Sequence, residues 1–183
     1  MANKCLVIVD FQNDYFAGGK WTCDNIDGAA GNAKRLLGHF RSKGAPVFHV
    51  QHIFEAENAP FFQPDTEGAE IHPGLEPAIG EPLFVKNTAN PFASTSLLDA
   101  LRQQQVEEVV ICGAMSHMCI DATARAAADY GFQVTVAEDA CGAKALEFRG
   151  CLIPAEQVHM AYMSALGFAY ANVTTTGEII KGG

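Results

Sequence analysis

Val109-Val110-Ile111-Cys112-Gly113-Ala114-Met115-Ser116-His117-Met118-Cys119, running on into Ile120-Asp121-Ala122-Thr123-Ala124-Arg125-Ala126-Ala127-Ala128, decides the fold. The first part is a β-branched apolar run of strand type. It breaks at Gly113 and resumes as an alanine-rich helix. The break is short, so Cys119 is expected at or just inside the helix N-terminus. Unpaired backbone N–H groups and the positive end of the helix dipole favour a thiolate there. The same N–H groups could hold a developing oxyanion. Strand, tight turn and thiol on a helix start together mount a nucleophile, in the logic of the nucleophile elbow of serine hydrolases.

Outward from this stretch, strand and helix alternate. Lys4 to Asp10 is a near-continuous apolar run ending in a carboxylate, the pattern of a strand buried on both faces of a parallel sheet. Asp27 is the expected N-cap of a helix reaching Ser42, with Ala33, Leu36, Leu37 and Phe40 on its inner face and Gly44 as its stop. Pro46 to His52 reads as a strand, and Pro82 to Lys86 as a short one ending in a lysine. Ala93 to Gln104 reads as a helix, Phe132 to Val136 as a strand, residues 154 to 166 as a helix and Ala171 to Thr176 as a last strand. Such alternation implies an α/β fold of three αβα layers: a Rossmann-like, mostly parallel sheet with helices on both faces, in one domain spanning 1–183. The long connection 53–81 holds four prolines and the pair Phe61-Phe62, and reads as a binding segment or lid. Its Glu55, Glu57, Asp65, Glu67 and Glu70 read as a solvated face, and Asp139 as an anchor for backbone N–H groups.

Composition excludes several function classes. The 183 residues carry 12 Lys+Arg against 21 Asp+Glu, a net charge of −9 with no basic cluster, which disfavours nucleic acid and anionic membrane as partners. No apolar run approaches the roughly 20 residues of a membrane span. The N-terminal residues enter a strand directly, without the pattern of a signal peptide, which points to the cytoplasm. The six cysteines form no CxxC pair and no Cys/His spacing of a zinc finger, so reduced thiols are expected, with Cys119 the reactive one.

Asp10, Lys86 and Cys119 fall at the carboxyl side of three strands, where open α/β sheets bind their ligands. Their chemistry is complementary. A carboxylate can take a thiol proton, an ammonium favours a thiolate, and the sulfur can attack a carbonyl. Asp10 with Gln12-Asn13-Asp14, Lys86 closing its strand, and Gly113 to Cys119 with Thr123 and Arg125 beyond resemble the isochorismatase-like cysteine hydrolases, which include nicotinamidases and other small-amide hydrolases. The resemblance spans Lys4 to Thr176. It implies a catalytic triad of Asp10, Lys86 and Cys119, a cis peptide at Ala114-Met115, and an oxyanion hole from the N–H groups of Met115 and Cys119. It also implies hydrolysis of a small molecule's amide-like C–N bond, no cofactor, and a homo-oligomer. Gln12, Tyr15, Phe61, Phe62 and His117 are the expected pocket residues. The Asp-x-His metal pattern that nicotinamidases carry after the second strand is replaced here by His49-Val50-Gln51-His52. No metal is therefore expected, and His52 and His72 are left as the candidate ligands. Cys119 separates the chain from the vinyl-ether-cleaving isochorismatases, which lack that thiol. Two other readings stay open: a thiol redox or scavenging protein, and a catalytically silent binding module.

Overall fold

Side chains of successive strand residues point to opposite faces, so a strand apolar at every position must be covered on both. Strand β1 (Lys4–Val9) meets this condition: Leu6 and Ile8 pack into one core, Cys5, Val7 and Val9 into the other. The computed structural model describes residues 3–56 and 58–182, so Glu57 lies outside the described residues. Six strands form one parallel sheet: β1, β2 (Val47–His52), β3 (Leu83–Lys86), β4 (Glu108–Ala114), β5 (Gln133–Gly142) and β8 (Asn172–Thr174), in the order β3-β2-β1-β4-β5-β8. Helices α1 (Ile26–Ser42) and α6 (Thr176–Gly182) cover one face, with residues 53–75 closing over the same side. The short α2 (Pro91–Ser94) with α3 (Leu97–Gln103), α4 (Asp121–Asp129) and α5 (Ala155–Ala169) cover the other. The chain runs outward from β1 through β2 to β3, then from β4 through β5 to β8. The order therefore reverses between β1 and β4, and a crevice opens at their carboxyl ends.

Gly113 does not end β4, which continues to Ala114. Its φ is +142°, and a Cβ there would lie 1.9 Å from the Val9 carbonyl oxygen. Only glycine lets β1 and β4 approach so closely at the point where Asp10 leaves the sheet.

Several expected boundaries move. Asn25, in the left-handed region, caps α1, and Asp27 lies inside its first turn. The helix expected over 93–104 starts earlier, with Asn90 accepting from the Phe92 N–H and Pro91 at the first position. It then breaks at Thr95, which is extended. Strand β5 runs on to Gly142, past a register shift against β4. A hairpin of β6 (Leu146–Phe148) and β7 (Cys151–Ile153) and helix α6 had no counterpart in the sequence reading. The hairpin turn is Arg149-Gly150, both at positive φ, a two-residue turn without the usual Asn-Gly signal. Glu55, Asp65, Glu67 and Glu70 are exposed, and Asp139 Oδ1 accepts the Thr176 N–H at 2.7 Å. No helix among the described residues is long and apolar enough to cross a membrane.

Glu81 clips the end of the long connection in place. Its carboxylate takes Arg41 Nε at 2.7 Å and Nη2 at 2.8 Å, His49 Nε2 at 2.8 Å and the Ala78 N–H at 2.9 Å. The Arg41 bond leads in holding its pKa down at about 2. A carboxyl depressed on folding stabilises above its unfolded pKa, and that contribution disappears as pH falls through the folded value. Glu81→Gln is expected to cost about 1–2 kcal/mol at pH 7, after discounting for solvent around the Arg41 guanidinium. Urea unfolding at pH 7 and near pH 2 should show the gap between the two proteins closing in acid.

Candidate active site

The crevice between β1 and β4 receives one group from each of three strand ends and one from the turn after β4. Asp10 follows β1 with φ +53°, its N–H bonded to the Val50 carbonyl. Lys86 ends β3, an edge strand whose Leu83 and Val85 face outward while Lys86 is 2% exposed. Cys119 lies in a single π-helical turn, Ser116–Ile120, that joins β4 to α4. His52 ends β2 and is the direct cross-strand partner of Lys86.

These four side chains meet at the Lys86 ammonium. Nζ donates to Asp10 Oδ2 at 2.7 Å, lies 2.8 Å from His52 Nδ1, and donates to Cys119 Sγ at 3.3 Å. An ammonium has three N–H donors and no acceptor, so the arrangement uses every one. Burial alone would lower the Lys86 pKa, but Asp10 and then Cys119 outweigh it and the net direction is up. Lys86 and Asp10 therefore form a fully buried ion pair. Burial pushes the Cys119 thiol up, Asp10 pushes it further, and Lys86 pulls the other way without prevailing. The net direction is up, opposite to the lowering expected of a thiol at a helix start. Cys119 precedes α4, and the dipole's effect of about 1 kcal/mol is smaller than the cost of a buried anion.

The turn leaves donors beside the sulfur. The Ala114-Met115 peptide is cis. Met118 and Ile120 both donate to the Met115 carbonyl, and the Cys119 N–H between them does not. Ser116, fully buried, donates to the Gly142 carbonyl at 3.0 Å and lies 2.8 Å from His159 Nδ1, tying the turn to β5 and α5.

One wall is aromatic. The His52 ring lies 4.2 Å from that of Phe54 and 6.2 Å from Phe62; Tyr15 is 4.6 Å from Phe62, and Phe61 is 4.8 Å from Trp21. Tyr15 is buried, and burial raises its phenol pKa, with Cys119 and then Asp10 adding to the effect. Asp14 holds this wall: its Oδ2 accepts the Phe62 N–H at 2.7 Å and its Oδ1 the Lys20 N–H at 3.1 Å. Gly68 lies against that carboxylate so closely that a Cβ would come within 2.2 Å of Oδ1.

Gln12 departs from its expected place in the pocket. Its Nε2 donates to the carbonyls of His52 (2.8 Å) and Ala69 (2.7 Å), and its Oε1 accepts the His52 N–H at 2.8 Å. The amide is spent on backbone and holds β2 against the start of the loop. His117 is buried with Nδ1 unpartnered among the described residues and its ring 6.1 Å from Tyr162, outside the group around Lys86.

Among the described residues, one set of metal-capable side chains converges: Asp10, His52 and Cys119, with ligand atoms within 4.8 Å of one another. The Lys86 ammonium already occupies the middle of that set, so these residues do not fit a metal ion. His72 is stacked on Phe16 at 3.5 Å with Nδ1 3.1 Å from Asn13 Oδ1, and His49 Nε2 is taken by Glu81. Sequence reading left His52 only as a candidate metal ligand, gave Asp14 and Ser116 no role beyond their place in the motifs, and did not single out Trp21 or Phe54. The signal for His52 was its place at a strand end, next to the strand of Lys86.

Comparison with known proteins identifies the family. Residues 4–177 match the isochorismatase domain. YddQ, an isochorismatase family protein of Bacillus subtilis strain 168, is 49% identical over 96% of this chain and 98% of its own length. Streptothricin hydrolase of Streptomyces noursei is 34% identical over 75% of this chain and 53% of its own. Nicotinamidase of Escherichia coli K12 is 27% identical over 77% and 84%. A solved structure from Oleispira antarctica, assigned to the isochorismatase hydrolases, superposes with a TM-score of 0.94 at 46% identity, covering 98% of this chain and 96% of that one. The chain belongs to the isochorismatase family of hydrolases.

Proposed function

We propose that the protein hydrolyses an amide-like C–N bond of a small molecule through a thioester on Cys119. The observation that carries this is the Lys86 ammonium donating to both Asp10 and Cys119 in one buried crevice. Relatives named streptothricin hydrolase, nicotinamidase and N-carbamoylsarcosine amidase support the bond class.

Asp10 Oδ2 is held by Lys86, while Oδ1 has no partner among the described residues and is the atom to receive the thiol proton. As that proton leaves, the sulfur attacks the substrate carbonyl carbon, and the carbonyl electrons pass to the oxygen. The N–H groups of Met115 and Cys119 receive this oxyanion. Asp10 returns the proton to the leaving nitrogen, the C–N bond breaks, and the amine departs. Water, deprotonated by Asp10, then attacks the thioester; the carboxylic acid leaves and the sulfur recovers its proton. Lys86 stays charged throughout. It stabilises the thiolate as it forms and holds the Asp10 carboxylate in position between steps.

The aromatic wall of Tyr15, Phe54, Phe61 and Phe62 suits a small, largely apolar or flat acyl group. Exposed apolar side chains on the β6–β7 hairpin and on α5 (Phe148, Leu152, Met160, Phe168) support self-association. The test of the proposal is ammonia release from a panel of small primary amides by the unaltered protein and by Cys119→Ser. Release by the first and not the second is expected; equal release by both would overturn it.

A further inference from the structure

We infer that His52 does two jobs in the site: it holds the Lys86 ammonium through Nδ1, and it presents Nε2–H to a second hydrogen-bond acceptor on the substrate, near the scissile carbonyl. The first job stands on geometry alone; the second rests on the amide-hydrolysis reading above.

Proton counting fixes the tautomer of the ring. Lys86 can only donate, so the contact of 2.8 Å requires a lone pair on His52 Nδ1. The ring proton is then on Nε2. Burial, followed by the Lys86 charge, holds the His52 pKa at about 4 against the pull of Asp10, so the ring stays neutral at ordinary pH. Nε2 is buried and has no partner among the described residues. Gln12 fixes the backbone on both sides of this ring, accepting the His52 N–H and donating to its carbonyl. The ring edge is bracketed by Phe54 and Phe62, which belong to the aromatic wall. A buried donor beside apolar rings favours a ligand that carries an acceptor to that point and rejects one that does not. Among the described residues, Asp10 Oδ1 and, farther along the aromatic wall, Trp21 Nε1 are also buried without a partner. His52 Nε2 and Asp10 Oδ1, whose side chains both meet Lys86, make a donor and an acceptor, of which the mechanism uses only the acceptor. The substrate class that satisfies both is a small amide with a second carbonyl-type oxygen close to the scissile carbonyl.

Three measurements test this. In the unaltered protein, ¹⁵N NMR of the histidine rings at pH 7, assigned with His52→Asn, is expected to show His52 protonated on Nε2 and bare on Nδ1. A proton on Nδ1, or an imidazolium, would overturn the first job without reference to any substrate. Alkylation of Cys119 by iodoacetamide, read across pH 7–10 by peptide mass spectrometry, is expected to slow about tenfold in His52→Phe, with its profile moved to higher pH. In His52→Asn, whose side-chain oxygen can still accept from Lys86, the shift should be smaller. Identical profiles in all three proteins would also overturn the first job. For the second, butyramide and acetoacetamide differ by one added carbonyl. The unaltered protein is expected to prefer acetoacetamide by at least tenfold in kcat/KM, and the preference should fall to near one in His52→Asn, whatever loss the two substrates share. An unchanged preference, or turnover of neither amide, would overturn the substrate contact while the NMR and alkylation results still judge the hold on Lys86.

Discussion

Cys119→Ser is expected to lower amide hydrolysis by at least about 10³-fold while leaving the fold nearly as stable as before. Serine differs from cysteine by one atom, and its hydroxyl can still accept from Lys86, which approaches the native sulfur at 3.3 Å. Packing around Ile120 and Thr123 is undisturbed, so the melting temperature should move by no more than a few degrees. The chemistry changes far more. A hydroxyl is much less acidic than a thiol, and the carboxylate of Asp10 is too weak a base to ionise it in the way it can assist Cys119. A 10³-fold loss corresponds to about 4 kcal/mol of lost transition-state stabilisation. Ammonia release and a thermal melt on the same preparation separate the two effects. Retained turnover would remove Cys119 from the reaction. Lost turnover with a collapsed fold would make the sulfur structural.

Lys86→Met should cost both activity and stability. Lys86 is 2% exposed and Asp10 0% exposed, so removing the ammonium leaves a buried carboxylate with no cation beside it. Breaking a buried pair from one side typically costs about 3–5 kcal/mol, because the remaining charge keeps its desolvation penalty. Asp10 also loses the bond that holds its carboxylate in place as the acceptor of the thiol proton. Activity should fall by at least about 10³-fold. The control is the double variant Lys86→Met with Asp10→Asn, in which no charge is left unpaired. Urea unfolding should show the pair recovering part of the loss, with a coupling of about 1–3 kcal/mol between the two sites. Additive losses would mean that the ion pair contributes nothing beyond its two separate side chains.

The centre of the fold was legible because it is buried on both faces. Runs such as Leu6 to Val9 and Val109 to Cys112 have no polar side to blur the pattern, and they mark β1 and β4, which flank the crevice. The periphery was not legible. The β6–β7 hairpin has three-residue strands and an Arg-Gly turn, and the second half of β5, Ala137 to Gly142, contains Glu138 and Asp139 and few residues of strand type. The site was legible as far as residue type and strand end could carry it, which placed Asp10, Lys86 and Cys119. His52 needed the β2–β3 register, because only pairing His52 with Lys86 turns a histidine that looks like a metal ligand into a partner for an ammonium. The direction of the Cys119 shift needed the tertiary structure for a related reason. Helix-end electrostatics can be seen in local sequence, but the burial that outweighs it is built by segments distant along the chain.

The central claim is that the sulfur of Cys119 carries the acyl group between the two halves of the reaction. Its most direct test is intact-protein and peptide mass spectrometry on samples acid-quenched within the first turnovers of a good amide substrate. The account predicts a mass gain equal to the acyl group, located on the peptide containing Cys119, sensitive to hydroxylamine and missing in Asp10→Asn. Full turnover with no acyl adduct on Cys119 at any quench time, or with the adduct on another residue, would contradict it.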